Sequence, residues 1–231
     1  MDNQLALTVA SEAGRAQLRF AVRSLWNGGW SGRDQEAVRH HAEELASMGV
    51  PPPTTTPIYF PLANNLATTS DLIQVLGPET SGEVEYALLF ADDGAIYVSV
   101  ASDHSDRAAE RHGIQLSKQL YPDVLAAEVW PYAEVRDHWE QLVLRCWVSH
   151  GSQRALYQEA ALAELLGPAE WLPLLAREEI RRPGLVFLSG TPATVGGLVF
   201  ADAYDLELED PVRRRALRHQ YRVEVLGPGR Q

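Results

Sequence analysis

The sequence lacks several features that would place it in a familiar class. It has one cysteine among 231 residues, which excludes a disulfide framework and a zinc site built from cysteines. It has no apolar run approaching about 18 residues, so no membrane-spanning helix is predicted. The N-terminal stretch has an acid at Asp2 and lacks a long apolar run, so no signal peptide is expected. These absences favour a cytoplasmic protein.

Basic residues are also in the minority. Lysine and arginine number 20 against 31 aspartate and glutamate residues, and the formal net charge is -11 at pH 7. Such a surface would repel a phosphate backbone over most of its area, which argues against nucleic acid as the main partner. The chain is 45% hydrophobic, and its length fits one large globular domain or two small ones.

Short alternating segments predict that strands dominate the fold. Helices are predicted from Asp34 onwards, over residues 106–120 and over residues 159–167, and a hairpin is predicted to turn at Gly151-Ser152. We therefore expect an α+β protein with a mostly β core. The proline-rich stretch 51–57 is predicted to connect residues 1–50, with N-terminal strands and a helix, to a core over residues 57–231 within one structural unit.

Two acidic residues share one face of a predicted strand. Glu83 and Glu85 are two positions apart, and side chains at that spacing point to the same side of a strand. The next predicted strand ends at Asp103, and a hairpin turning near Asp93-Gly94 would bring this third acid opposite them. The set predicts either an exposed start to the strand or a site for a hard dication such as Mg²⁺ or Mn²⁺.

A histidine and a glutamate lie together on the first predicted helix. His41 and Glu44 are three residues apart, so they meet on one helical face. A histidine oriented by a carboxylate is a standard general base. His41 also shares its face with apolar residues, so a packed core histidine is the alternative, and His40 is expected on the solvated side.

Five short motifs occur in an order that resembles the fumarylacetoacetate hydrolase superfamily. They read Glu-Val-Glu at 83–85, Asp-His-Ser-Asp-Arg at 103–107, Ser-Lys-Gln-Leu-Tyr-Pro at 117–122, Arg-Ala-Leu-Tyr-Gln at 154–158 and Ser-Gly-Thr-Pro-Ala-Thr-Val-Gly-Gly at 189–197. The similarity extends from about Ser31 to the C-terminus. It is greater to a poorly characterised bacterial branch than to the best-known enzymes of the group.

The resemblance implies a rolled, mixed β-sheet core with a few peripheral helices, usually assembled as a homodimer. It implies that Glu83, Glu85 and Asp103 hold a divalent ion. Arg107 would brace this site, Lys118 would face the substrate, and Gln158 and Thr191 would contact the substrate. It also implies that His41 and Glu44 activate water from a mobile lid. The ion would be Mg²⁺ or Mn²⁺, and the substrate a small carboxylate.

Three positions depart from the family's pattern. The lysine of a Phe-x-Lys-Pro segment is absent, because the corresponding residues 59–65 read Tyr-Phe-Pro-Leu-Ala-Asn-Asn. Ser102 stands where an asparagine often precedes the metal aspartate, and Leu185 follows Pro183-Gly184 where an aspartate is usual. The ion-binding positions are retained, whereas the positions that contact substrate have changed.

The resulting hypothesis is a metal-dependent hydrolase that cleaves a C–C bond in a small 2-oxo or β-diketo acid through a metal-bound enolate. Decarboxylation, tautomerisation or dehydration of a 2-oxo acid would use the same site. A non-catalytic binding protein on this scaffold is the third possibility, supported by the missing lysine.

Overall fold

The computed structural model describes residues 3–34, 36, 38 and 55–227. The strands in these ranges are β1 (Asn3–Ser11), β2 (Gly14–Val22), β3 (Ser24–Gly29), β4 (Ile58–Leu62), β5 (Ala67–Thr68), β6 (Leu72–Val75), β7 (Thr80–Phe90), β8 (Ile96–Asp106), β9 (Asp123–Leu125), β10 (Glu128–Pro131), β11 (Val143–His150), β12 (Gln153–Ala161), β13 (Leu185–Leu188), β14 (Ala203–Asp210) and β15 (Arg215–Val225).

Helices in the described ranges are short and lie between the strands. The α-helices are α1 (Arg107–Glu110), α2 (Ile114–Gln119), α3 (Tyr132–Val135) and α4 (Pro168–Arg177), and 3₁₀ turns occur at Asn64–Leu66, Arg136–Gln141 and Leu162–Glu164. None of these helices is long and apolar enough to cross a membrane.

The strands form two sheets. Eight strands of the larger sheet follow the order β2-β1-β10-β8-β7-β13-β3-β4, and β9 joins it by pairing with β8 and with β5. The smaller sheet has the order β12-β11-β14-β15-β6. Both sheets are mixed, since β13 runs parallel to β3 and β15 runs parallel to β6. The N-terminal strands therefore pair within the same sheet as the central strands, while the division at residue 50 stays a prediction.

Alternation along β7 divides its side chains between two hydrophobic clusters. Val84, Tyr86 and Leu88 belong to a cluster shared with the smaller sheet. Ala87 and Leu89 belong to a second cluster, whose members lie almost entirely on strands of the larger sheet. A sheet that surrounds its own apolar cluster is rolled, so the predicted mostly β roll is confirmed.

The hairpin of β7 and β8 has the predicted turn and extends further than predicted. Asp93 accepts a hydrogen bond from the Ala95 N–H at 2.9 Å, and Gly94 has a φ of 85°, which favours glycine. Pairing continues from Phe90↔Ile96 to Thr80↔Asp106. Asp103 therefore lies inside β8, whereas the sequence suggested that this strand ends there.

Two helix predictions needed correction. The single helix predicted over residues 106–120 is divided into α1 and α2, because Gly113 between them has a φ of 146° that helical backbone does not adopt. The helix predicted over residues 159–167 is only a 3₁₀ turn, and the longer α4 follows it. The predicted hairpin of β11 and β12 is confirmed, and Cys146 is buried on β11 as expected.

Candidate functional site

A row of three carboxylates crosses the centre of the larger sheet. Glu83 on β7 is directly opposite Asp103 on β8, and Asp103 is directly opposite Asp123 on β9. Directly opposed residues point to the same face, so all three side chains lie on one side of the sheet. Glu85 lies on this face as well, two residues along β7. The predicted set of Glu83, Glu85 and Asp103 therefore shares one surface.

The face that carries the row is the one that encloses the second hydrophobic cluster. Ala87 follows Glu85 on this face, and Ala101 precedes Asp103. Glu85 is 1% exposed and Asp103 is fully buried. Carboxylates at the edge of an apolar cluster lose their hydration, so each one requires a counter-ion, a hydrogen bond or a proton.

Arg107 provides the counter-ion for Glu83. A guanidinium nitrogen of Arg107 lies 3.1 Å from the Glu83 carboxylate, and the Arg107 Nε donates a hydrogen bond of 2.7 Å to the Ser81 hydroxyl. Burial would lower the pKa of Arg107, but Glu83 and Glu110 outweigh burial and raise it. Arg107 is therefore charged and braces Glu83.

Lys118 lies against Asp103. The Lys118 ammonium at the end of α2 donates a hydrogen bond to one oxygen of Asp103, and the Ser105 hydroxyl donates one of 3.1 Å to the other. The lysine side chain is 10% exposed. The structure thus brings the predicted lysine into the acidic row.

Glu85 is held by the loop that follows β13. The Gly190 N–H donates a hydrogen bond of 2.6 Å to Glu85. Burial nevertheless raises the pKa of Glu85 to about 8, opposed by Lys118 and the Gly190 N–H and reinforced by Asp123 and Glu83. Without a further cation, Glu85 therefore holds a proton near neutral pH.

Gln158 and Thr191 fix the same loop. The Gln158 amide oxygen accepts a hydrogen bond from the Val84 N–H at 2.9 Å, and its nitrogen donates to the Thr191 hydroxyl at 2.7 Å and to the Pro192 carbonyl at 2.8 Å. Thr191 in turn donates to the Val84 carbonyl at 3.0 Å. Both side chains position the loop against β7, and their contact with substrate stays a prediction.

Asp123 and Asn27 were missed in the sequence. Both are fully buried, and the Asn27 amide nitrogen donates to one oxygen of Asp123 over 3.5 Å. Burial raises the pKa of Asp123 to about 7, against the effects of Lys118 and Asn27. The available signal was an aspartate immediately before the apolar pair Val124-Leu125, a position where an acid is costly unless it has a role.

The donor atoms of this site fit a hard dication. Four carboxylates face two cationic side chains, which leaves two negative charges when all are ionised, and oxygen ligands are those that Mg²⁺ and Mn²⁺ prefer. Within the described ranges, however, no three acid, histidine or cysteine side chains converge closely enough to hold an ion as they stand. Arg107 and Lys118 instead lie against Glu83 and Asp103.

His104 lies outside the acidic row. It follows Asp103 on β8 and so points to the opposite face, where its ring nitrogens lie 3.0 Å from the Tyr221 and Thr80 hydroxyls. Burial, with a smaller contribution from Arg107, lowers the pKa of His104 to about 3. This histidine is a neutral core residue.

The predicted water-activating pair is not part of the described structure. His41 and Glu44 fall in residues 39–54, outside the described ranges, as does His40. Asp34 and Val38 precede them, and the Val38 N–H donates to the Asp34 carbonyl at 3.0 Å, as in the first turn of a helix. The roles of His41 and Glu44 stay predictions.

Solved structures of similar fold include a protein described as a fumarylacetoacetate hydrolase family member and two enzymes named for oxo acids. A yeast fumarylacetoacetate hydrolase family protein has 19% identity and a TM-score of 0.61, covering 90% of this chain and 95% of its own. A 2-keto-3-deoxy-D-arabinonate dehydratase complexed with magnesium and 2,5-dioxopentanoate has 15% identity and a TM-score of 0.61, covering 92% and 77%.

A third structure is 4-oxalocrotonate decarboxylase from Pseudomonas putida G7, complexed with calcium and acetate, with 15% identity and a TM-score of 0.56 over 87% of this chain and 76% of its own. At these identities the similarity establishes the fold alone, which this chain shares with the yeast fumarylacetoacetate hydrolase family protein. No curated protein sequence gives a match. Residues 28–221 match the model of a family described as Protein of unknown function (DUF2848), and because this match spans most of the chain, the protein belongs to that family.

Proposed function

We propose that this protein is a divalent-metal-dependent enzyme acting on a small 2-oxo acid. The observation that supports it most is that Glu85 and Asp103, both buried, share one face with the mostly buried Glu83, and that these three carboxylates outnumber the two cations against them, Arg107 and Lys118. Fold relatives that bind magnesium with a dioxo acid, or calcium with acetate, support the same class of chemistry.

Glu83, Glu85 and Asp103 would hold the ion, which we propose to be Mg²⁺ or Mn²⁺. When bound, the ion supplies Lewis-acid polarisation of the oxygens of a 2-oxo carboxylate. Arg107 braces Glu83 through the ion pair of 3.1 Å, and the Gly190 N–H orients Glu85 through its hydrogen bond. Lys118 places a positive charge beside the site, where it stabilises negative charge that develops on the substrate.

The finer proposal is hydrolysis of a C–C bond. His41, oriented by Glu44, would take a proton from water, and the water would attack the carbonyl next to the bond that breaks. Decarboxylation or dehydration is the second candidate, favoured by the reactions in the names of two fold relatives. Neither of these reactions requires His41 to activate water.

The partners follow from the same site. A small carboxylate is the proposed ligand, and Gln158 and Thr191 are proposed to contact it from the loop after β13. We propose a cytoplasmic homodimer, as is usual in the resembled superfamily, and a placement within its less characterised bacterial branch.

The test is turnover of acylpyruvates and of oxaloacetate with Mg²⁺ or Mn²⁺ and with a chelator. We expect activity with the ion alone, and its loss in Glu83→Gln/Glu85→Gln. Glu178→Gln changes an exposed glutamate at the C-terminal end of α4, so it is the control and should keep the activity. An ion that binds without any turnover of these substrates would instead indicate a binding protein.

A further inference from the structure

Asp123 is a buried acid with an unused oxygen. Its Oδ1 accepts the long contact from Asn27, whereas its Oδ2 has no hydrogen-bond partner among the described residues. The Asn27 Oδ1 also has no partner among the residues described, although this side chain is fully buried. Two buried polar atoms without partners in one place indicate a group that the protein is arranged to receive.

A second buried aspartate shows which partners a purely structural carboxylate has in this protein. Asp210 is fully buried like Asp123. Its oxygens lie 2.9 Å from His138, 3.2 Å from Arg215 and 3.1 Å from the Arg213 N–H. Burying an ionised carboxylate without such partners is strongly unfavourable. Asp123 therefore differs from a purely structural acid.

The cation beside this pair of aspartates is Lys118. Its ammonium donates to Asp103, which is directly opposite Asp123 across β8 and β9. It also attracts the Asp123 carboxylate and favours its charged form. The proposed function requires Asp103 as an ion ligand, and an ammonium on that carboxylate competes with the ion.

We propose that Asp123 is the second partner of Lys118. When a dication takes Asp103, the Lys118 ammonium moves to the free Oδ2 of Asp123, while Asn27 keeps Oδ1 in place. This inference rests on the proposed function, and it makes Asp123 a positioning residue, not an ion ligand. With that move each of the four carboxylates faces a cation: Lys118 for Asp123, the dication for Glu85 and Asp103, and both Arg107 and the dication for Glu83.

The test is calorimetric titration of Mn²⁺ into the metal-free protein and three variants. Asp123→Asn should weaken Mn²⁺ binding about 10- to 100-fold, the usual effect of losing a residue that orients a ligand, because Lys118 then stays on Asp103. Lys118→Met should bind at least as tightly as the parent. The double variant Asp123→Asn/Lys118→Met should recover to within about threefold of Lys118→Met, since the competing ammonium is gone.

Each other outcome overturns the proposal in its own way. Unchanged affinity in Asp123→Asn would show that Asp123 has no part in the site, and a loss that persists in the double variant would make it a direct ligand. A parent protein that binds no Mn²⁺ would overturn the proposed function and this inference with it. Asp205→Asn, an acid on the outer face of the smaller sheet, is the matched control. Melting temperatures confirm folding, and Asp123→Ser replaces the Asn variant if that one does not fold.

Discussion

The backbone N–H of Gly190 donates a hydrogen bond of 2.6 Å to the Glu85 carboxylate, across a sequence separation of 105 residues. This contact joins the loop after β13 to the acidic face of β7. It depends on a backbone conformation with a φ of 86° at Gly190, where a Cβ atom would lie 2.2 Å from the Ser31 hydroxyl. The shape of the loop and the environment of Glu85 are therefore set together.

Gly190→Ala is expected to destabilise the protein more than Gly196→Ala. Both glycines have a φ of 86°, but a Cβ at Gly196 would meet nothing within 4 Å. The left-handed conformation alone costs an alanine about 1 kcal/mol, so Gly196→Ala reports that cost. Gly190→Ala adds the collision with Ser31, for a total of about 3 kcal/mol in the free energy of unfolding. Urea denaturation of both variants measures this, and equal losses would contradict the role assigned to Gly190.

Removing Arg107 should destabilise the protein through the acid it leaves behind. Arg107→Gln is expected to lower the free energy of unfolding by about 3 kcal/mol, because Glu83 then remains as a mostly buried carboxylate without a counter-ion. Arg107→Gln/Glu83→Gln should regain part of that loss.

Arg154→Gln is the control for this comparison, because Arg154 pairs with Asp205 at a half-exposed position and should lose less than about 1 kcal/mol. Urea denaturation gives all three values. A double variant no more stable than Arg107→Gln would show that Arg107 contributes by packing.

Stability of the metal-free protein should fall as the pH rises through the titration of Glu85. The pKa of Glu85 is raised from 4.5 to about 8 in the folded protein. Its contribution to stability is therefore fully present below pH 4.5 and is lost as the pH rises towards 8. Glu85→Gln cannot lose that proton, so its melting temperature should exceed that of the parent increasingly across this range. Scanning calorimetry in a chelator measures both proteins; parallel curves would exclude a protonated Glu85.

His41→Ala separates the proposed reactions. If His41 activates water, the variant should lose about 10²- to 10⁴-fold in turnover of an acylpyruvate and keep its affinity for Mn²⁺. Glu44→Gln should have a smaller effect, since it changes orientation more than proton transfer. A decarboxylase should tolerate His41→Ala.

A packed His41 would give a third result, because its loss would lower the melting temperature and spare the activity of the folded fraction. Rate, Mn²⁺ affinity and melting temperature are therefore measured on the same protein. A fully active and stable variant would leave no role for His41 and would make His40 the candidate base.

A homodimer is the expected assembly. The resemblance implies a homodimer, and apolar side chains that an interface would cover are exposed at Leu156, Leu198 and Phe200. Light scattering at micromolar protein should report about twice the chain mass of 25.6 kDa. A mass of one chain at all concentrations would contradict this assembly.

Local patterns in the sequence determined the strands and much of the site. Glu83 and Glu85 share one face because they are two residues apart on a strand, and the turn at Asp93-Gly94 places Asp103 opposite Glu83. Both features follow from the sequence because strand alternation and turn chemistry act over a few residues. The end of a predicted helix made Lys118 a candidate, and the resemblance to a family implied that it faces the site. Local patterns did not predict the end of the helix at Gly113, where a single backbone angle interrupts the helical conformation.

The tertiary structure alone decided which strands became neighbours across the sheet. Asp123 lies on a strand of three residues, too short to show any alternation, and it joined the site only because β9 pairs with β8. Asn27 lies on β3, which joins this part of the sheet by pairing with β13. The pairing of β13 with β7 places Gly190 beside Glu85. Strand order depends on how distant apolar faces pack together, so the counter-ions and unused oxygens of the site became visible only in the folded chain.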